Sequence, residues 1–268
     1  MFFFDKKLVK MDLNLTGKRA LVCGSTQGMG KAIAKELAVN GANVTLFARN
    51  EASLKDVLNE LEGEGHDYLL ADFDDLDSVK VQISKGLNAG DYHILINNTG
   101  GPAPGPLYRA DIKEFDLALT RHLYASHLMV QSLLDGMRKA NYGRIINIIS
   151  TSVKVPIPNL GVSNTVRGAM ASWAKTLSNE LGEFGITVNN ILPGFINTGR
   201  IENLIASRSK HSGVSEEEVK SAMENTIPAG RFGEPEEIAA YAAFLCSKDG
   251  AYVNGTSLRV DGGRTGSI

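Results

Sequence analysis

The chain has 268 residues, of which 43% are hydrophobic and 22% are charged, and its net charge is −2. This length suffices for one large α/β domain or two small ones, and the composition is typical of a globular protein. The charge provides no basic field for nucleic acid or a membrane surface, and no apolar run reaches the ~18 residues of a membrane helix. We therefore expect a small-molecule substrate, no nucleic-acid or membrane partner, and a cytoplasmic location.

The N-terminal segment differs from the rest of the chain. Its apolar patch is too short for a signal peptide, and Met11 heads a second possible start. We expect residues 1–12 to be an N-terminal extension and residues 13–268 to form the domain. The two cysteines, Cys23 and Cys246, are predicted to be reduced thiols in the core, and no residue is assigned to a metal.

Short apolar runs alternate with segments of helical spacing along the whole chain. Strands are predicted at residues 19–23, 43–48, 68–71, 92–97, 144–149, 186–192 and 257–260. Helices are predicted at residues 31–38, 51–62, 76–87, 112–139, 161–183 and 238–245. This alternation predicts an α/β Rossmann fold, a single-domain doubly wound parallel sheet of about seven strands with helices on both faces. Ligands of such sheets bind at the carboxyl ends of the strands.

One segment departs from the alternation. Residues 199–230 are polar and only weakly periodic. We expect them to form a mobile helical flap beside the ligand site.

A glycine-rich turn follows the first predicted strand. Gly24, Gly28 and Gly30 stand where the strand gives way to a helix. Such a turn lets main-chain N–H groups surround an anion, and the helix N-terminus adds partial positive charge. The spacing is not that of the G-x-G-x-x-G fingerprint, so by itself the turn fits either a dinucleotide diphosphate or close helix packing.

Residues at the ends of the next strands indicate which dinucleotide binds. Arg49 ends the second strand, where an acidic residue would hold the ribose of NAD and an arginine can pair with a 2′-phosphate. This favours NADP over NAD, unless Arg49 is only a solvated side chain. Asp72 could accept from the adenine amino group or cap the next helix. Residues 98–101 form a turn at which the main chain can approach the cofactor.

With these features in order, the chain resembles the short-chain dehydrogenase/reductase family, and within it the 3-oxoacyl-[acyl-carrier-protein] reductase-like members. The resemblance is carried by Asp72 and by residues 24–30, 97–100, 143–150, 193–198, 230–235 and 260–263. It implies an NAD(P)-dependent oxidoreductase acting on a carbonyl or alcohol, assembled as a homotetramer or homodimer through its two long helices. Together with the strand-end rule it assigns cofactor binding to Gly24, Ser25, Gln27, Gly28, Met29, Gly30, Arg49, Asp72, Phe73, Asn98, Gly100, Pro193, Gly194, Ile196 and Thr198.

The catalytic residues depart from the family pattern of asparagine, serine, tyrosine and lysine. Ser150 occupies the serine position, but Ser163 stands for the tyrosine, Arg167 for the lysine and His122 for the asparagine. A serine hydroxyl is a far weaker acid than a phenol, so Ser163 is a poor proton donor. Arg167 keeps the positive charge and suits ribose hydroxyls or an anionic substrate.

The sequence therefore leaves the identity of the proton donor undecided. His122, with an ordinary pKa of ~6.5, could supply the proton, as could an ordered water; equally, His122 could be a structural histidine on a helix. Tyr108, on the proline-rich loop after the fourth strand, could line the substrate pocket. The joint loss of tyrosine and lysine also fits a catalytically silent dinucleotide-binding sensor or assembly partner, or a lyase- or isomerase-like activity.

Overall fold

The computed structural model describes residues 11–267, so most of the expected N-terminal extension lies outside the described residues. The first half contains β1 (Arg19–Cys23), α1 (Gly28–Val39), β2 (Asn43–Ala48), α2 (Glu51–Leu58), β3 (Asp67–Leu70), α3 (Leu76–Leu87) and β4 (Ile94–Asn97). The second half contains α4 (Ile112–Leu119), α5 (Ala125–Lys139), β5 (Gly143–Ile148), α6 (Gly161–Leu181), β6 (Ile186–Pro193), α7 (Gly199–Ser212), α8 (Glu216–Glu224), α9 (Pro235–Cys246) and β7 (Ser257–Val260). Among these helices, none is both long and apolar enough to cross a membrane.

Within residues 11–267, seven parallel strands form one sheet in the order β3-β2-β1-β4-β5-β6-β7. The predicted doubly wound Rossmann-type fold is confirmed. The chain direction across the sheet reverses between β1 and β4, so the loops that follow these two strands diverge and leave a crevice at the carboxyl edge. This crevice is the expected ligand site.

Both faces of the sheet are covered by apolar helix surfaces. Along β1, Ala20 and Val22 point into one core, and Leu21 and Cys23 point into the other. The first core is closed by α1, α2 and α9, and the second by α3, α5 and α6. Burial on both faces explains why the strands read as continuous apolar runs rather than alternating ones.

Two predicted helices differ from the structure. Helix α2 ends at Leu58, not near residue 62, because the main-chain hydrogen bonds change there to turn-type bonds, from Glu60 N to the Val57 carbonyl at 3.0 Å and from Leu61 N to the Leu58 carbonyl at 3.3 Å. The single helix predicted over residues 112–139 is broken by a π-helical turn at Thr120–Tyr124, which lies between α4 and α5. Such turns often mark functional positions, and this one contains His122.

The segment expected to be a flap consists of α7 and α8. Their apolar residues join two that follow α8 in a cluster separate from the two main cores: Ile201, Ile205, Val219 and Met223 from the helices, with Ile227 and Phe232. Ser215 and Glu218 cap the start of α8 reciprocally. The segment is therefore helical, as expected, and its mobility stays a prediction.

A row of buried amides crosses the sheet near its carboxyl edge. Asn97 Nδ2 donates to Asn147 Oδ1 at 2.8 Å, and Asn147 Nδ2 donates to Asn190 Oδ1 at 2.9 Å. The row continues from Asn190 Nδ2 to Ser257 Oγ at 3.0 Å. These bonds link β4, β5, β6 and β7 side by side, near the carboxyl ends of β4 and β5 and at the first residue of β7, so they hold the four strands in register.

Candidate active site at the carboxyl edge of the sheet

The turn between β1 and α1 requires glycine. A Cβ atom on Gly24 would lie 2.5 Å from the carbonyl oxygen of Asn98, and Gly24 adopts a left-handed φ of 57°. A Cβ atom on Gly30 would come still closer to the Gly24 carbonyl. The Asn98 side chain fastens the same turn by donating to the carbonyls of Cys23 and Gly24 at 3.3 and 3.2 Å. The turn is thus packed directly against the segment that follows β4.

The N-terminus of α1 is open at this turn. Its N-cap residue, Gln27, makes no side-chain capping bond, and the first turn contains no acidic residue. A Cβ atom on Gly28 would lie 3.1 Å from Thr198 Cγ2, which places Thr198 beside the open end, while Met29 packs against the core. The free N–H groups and the helix dipole form a suitable seat for a diphosphate.

Two of the residues assigned to the cofactor have buried side chains with structural partners. Ser25 Oγ accepts a hydrogen bond from the Phe47 amide at 3.0 Å, and the Phe73 ring packs edge-on against Phe47 with centroids 5.3 Å apart. These side chains hold the end of β2 against its neighbours. Any cofactor contact is left to the main-chain atoms of Ser25 and Phe73.

Arg49 and Asp72 lie side by side at the ends of β2 and β3. Arg49 Nη1 is 3.7 Å from Asp72 Oδ2, and the Arg49 side chain is 71% exposed. The other oxygen of Asp72 accepts from the Asp74 amide at 3.1 Å. An exposed pair at this distance is weak, so Arg49 remains able to pair with another anion.

The segment after β6 borders the same crevice. Pro193 ends the strand, and Gly194 donates to the Val260 carbonyl at 2.9 Å. Ile196 is buried and bridges to the segment before α9, and Thr198 precedes α7. On the β4 side, a Cβ atom on Gly100 would meet nothing within 4 Å. The cofactor residues assigned from the sequence therefore line one edge of the sheet.

The residues at the family's serine, tyrosine and lysine positions lie at the end of β5 and on α6. Ser150 Oγ accepts from the Ser152 amide at 3.0 Å. Ser163 and Arg167 are buried one turn apart on α6, and Arg167 Nη1 donates to the Ile148 carbonyl at 3.1 Å. This bond ties α6 to β5 two residues before Ser150, which brings the two elements together at the crevice.

Arg167 is a buried cation without a carboxylate partner in the described chain. Its side chain makes no ion pair within residues 11–267. Burial, with a smaller effect from the Arg200 charge, lowers its pKa to about 10, so it stays charged at neutral pH. A buried, unpaired charge costs several kcal/mol. Proteins retain such charges mainly at functional sites, and this one lies at the crevice.

His122 does not have the properties expected of a free histidine. It is buried, and its Nδ1 is hydrogen-bonded to Thr99 Oγ1. Burial lowers its pKa to about 2, and the nearby charges of Arg167, Arg121 and Arg200 add to the effect. The ring is therefore neutral near pH 7, and the ordinary pKa of ~6.5 on which its role as proton donor was predicted does not hold here.

The proline-rich loop after β4 is fastened over the start of α6. Gly105 N donates to the Asn159 carbonyl at 2.7 Å, and Gly161 N donates to the Gly105 carbonyl at 3.1 Å. A Cβ atom on Gly161 would lie 2.5 Å from Leu107 Cα. Tyr108 on this loop is 81% exposed, which does not fit the role of a buried pocket wall.

Sequence reasoning gave no side-chain contact to Thr99, no particular role to Gly101 within the 98–101 turn, and no place in the site to Arg200. Thr99 contacts His122, and the guanidinium of Arg200 lies against Gly101. Thr99 and His122 both stand where the family pattern has other residues, alanine and asparagine. Two departures from one pattern could have suggested their contact. For Arg200 and Gly101 the sequence offers no such signal.

Comparisons with known proteins cover nearly the whole chain. The family model described as Enoyl-(Acyl carrier protein) reductase matches residues 24–265. Gluconate 5-dehydrogenase of Gluconobacter oxydans is 33% identical over 258 residues, which are 95% of this chain and 97% of that protein. The 3-oxoacyl-[acyl-carrier-protein] reductase FabG of Haemophilus influenzae is 36% identical over 254 residues, 93% of this chain and 98% of the relative. L-sorbose reductase of Gluconobacter frateurii, solved with NADPH and L-sorbose, has a TM-score of 0.92 at 28% identity, covering 96% of this chain and all of that one.

Proposed function

Because the chain belongs to the short-chain dehydrogenase/reductase family and is an NAD(P)-dependent oxidoreductase of carbonyl or alcohol compounds, we propose that it uses NADPH in preference to NADH and keeps its activity with an altered catalytic set. The observation that carries the proposal is the open N-terminus of α1 at the sheet crevice, with the glycine turn packed tightly behind it. This geometry fits a dinucleotide diphosphate.

The residues that would hold the dinucleotide follow from their places at the edge. The main-chain N–H groups of residues 28–30 would bind the diphosphate, and Arg49 the 2′-phosphate. Gly100 and the Pro193–Thr198 segment would border the nicotinamide half. When bound, the cofactor supplies or accepts the hydride.

We assign NADPH as the preferred cofactor on the basis of Arg49. Its guanidinium is exposed at the end of β2, and among residues 11–267 its one ion pair is a long contact with Asp72. A phosphate offers a dianion and charge-assisted hydrogen bonds, which are stronger than an exposed pair at 3.7 Å. The L-sorbose reductase structure, which contains NADPH, supports the assignment.

The chain's own groups would stabilise charge rather than transfer a proton through a phenol. Ser150 and Ser163 would donate hydrogen bonds to the substrate oxygen, and the charge of Arg167 would stabilise negative charge developing there. His122 is neutral and would position Thr99 at the end of β4. The proton would then come from an ordered water, since none of these side chains is a ready acid near neutrality.

We also propose assembly as a homotetramer or homodimer through α5 and α6. Trp173 on α6 is partly exposed and donates to His127 Nδ1 on α5 at 3.3 Å, and a Cβ atom on Gly168 would meet nothing within 4 Å. A partly exposed aromatic side chain on α6 suits a subunit interface. The buried free thiols Cys23 and Cys246 are compatible with the reducing cytoplasm, where we expect the protein to act.

Calorimetry and turnover assays test the function. We expect NADPH to bind more tightly than NADH and its absorbance to fall when a suitable ketone is added. Arg49→Asp should reverse or abolish the cofactor preference, weakening NADPH roughly tenfold or more, because the phosphate loses its partner and meets a carboxylate. An unchanged preference would contradict the assignment of Arg49. Tight binding without turnover over a broad ketone panel would favour the catalytically silent sensor.

A further inference from the structure

A second guanidinium, that of Arg200, lies beside the site in addition to that of Arg167. Arg200, in the first turn of α7, rests flat against Gly101: a Cβ atom there would be 2.7 Å from Nη1, 2.9 Å from Nη2 and 3.2 Å from Cζ. Only glycine leaves room for this arrangement. The side chain as a whole is exposed, and its charged end lies against the main chain of the loop that follows β4.

Positive charge at this point is not neutralised by the described part of the chain. Arg200 is close enough to Arg167 and His122 for its charge to lower the pKa of both. The charge of Arg121 also helps to lower the His122 pKa, but Arg121 Nε donates to Asp74 Oδ1 at 2.7 Å, so that charge is paired. Within residues 11–267, neither Arg167 nor Arg200 forms an ion pair.

Polar atoms around these cations also lack partners. His122 Nε2 is fully buried and has no hydrogen-bond partner among the described residues. Among the described residues, Arg167 donates to one carbonyl, that of Ile148. Two neighbouring guanidiniums that form no ion pair in this part of the chain point to an anionic ligand.

We propose that the substrate carries a carboxylate, which binds the Arg200 guanidinium on Gly101 while its carbonyl lies toward Ser150 and Ser163. The proposal rests on the proposed function. We assign Arg200 to the substrate rather than to the cofactor diphosphate because Gly101, which it contacts, begins the loop that is fastened over the start of α6, where Ser163 lies. A planar guanidinium held in place suits bidentate recognition of a carboxylate.

The test compares paired substrates in the full-length protein. We would measure kcat/KM with NADPH for 2-oxo and 3-oxo carboxylic acids, each beside its methyl ester. We expect the wild type to prefer the acid about 10- to 100-fold, the range of one charge-assisted contact. Arg200→Gln should remove most of this preference through KM for the acid, and Arg200→Lys should restore part of it. Arg208→Gln, farther along α7, is the matched control and should leave the preference unchanged.

A second variant tests the position of the charge without deleting it. Gly101→Ala places a Cβ in the space of the guanidinium and should reduce the acid preference with Arg200 still present. An acid-to-ester ratio near one in the wild type would overturn the proposal. So would Arg200→Gln weakening NADPH binding while the ratio stays the same, because Arg200 would then serve the cofactor diphosphate.

Calorimetry separates failure of this inference from failure of the proposed function. The same acids and esters are titrated into the protein saturated with NADP⁺. If no pair is turned over, selective binding of the acids, lost in Arg200→Gln, still supports the anion site while the proposed catalysis fails. Equal or absent binding of acid and ester in this titration would overturn the inference.

Discussion

Thr99 and His122 both stand where the family pattern has other residues, and the two side chains contact each other. His122 lies in the π-helical turn and is bonded to Thr99 at the end of β4. Because the ring is buried among three arginines, protonation would add a fourth positive charge without solvent to screen it. His122 therefore serves as a neutral hydrogen-bonding group that joins the segment after β4 to the helix.

The buried state of His122 predicts acid sensitivity. Its folded pKa of about 2 lies below the unfolded value of ~6.5, so below pH 6.5 the unfolded chain takes up a proton that the folded protein does not. Stability present above pH 6.5 is then lost as the pH falls, by on the order of 1 kcal/mol at pH 5.5. In denaturant unfolding at pH 7.5 and 5.5, His122→Asn should show a correspondingly smaller loss.

His211→Asn provides the control for this measurement, because His211 is exposed on α7. Its pH dependence should match that of the wild type. The same loss between the two pH values in His122→Asn and in the wild type would show that His122 is not the group responsible.

At the scale of elements, the row of buried amides joins four neighbouring strands. Asn147 both donates to Asn190 and accepts from Asn97, so it is an interior member of the row. Asn147→Ala leaves a buried donor and a buried acceptor without partners, each worth about 1–3 kcal/mol. We expect the free energy of unfolding to fall by about 2–4 kcal/mol in urea titration.

A substitution at the end of the row should cost less stability and serves as the comparison. Ser257→Ala removes the acceptor of a single bond at a partly buried position and should cost about 1 kcal/mol. If Asn147→Ala cost no more than Ser257→Ala, the row would not act as a connected support for the carboxyl edge.

The fold of the whole molecule was predictable because the hydrophobic pattern that indicates it is local and repeats along the chain. Continuous apolar runs alternate with segments of helical spacing, and a parallel sheet covered on both faces produces that pattern. The end of α2 was misplaced because residues 59–62 keep a composition compatible with a helix while their main chain forms turns. The π-helical turn was missed because residues 112–139 keep helical spacing through it, and tertiary contacts decide where one extra residue is accommodated.

The site was predictable only in part, for a related reason. The glycine turn and the strand ends predict an anion-binding crevice, because the main-chain N–H groups that would bind the anion are positioned by the local sequence. The neutral state of His122 depends on burial by distant segments, and the place of Arg200 depends on a contact with Gly101 across the crevice. Properties that arise from such long-range packing cannot be obtained from spacing along the chain.

The central claim is that the open N-terminus of α1 receives the diphosphate of a dinucleotide. The most direct measurement is a crystal structure of the protein with NADP⁺ bound. We predict the diphosphate on the main-chain N–H groups of residues 28–30, the 2′-phosphate at Arg49 and the nicotinamide toward Ser150. A dinucleotide bound elsewhere, with the turn between β1 and α1 closed by protein atoms, would contradict the account.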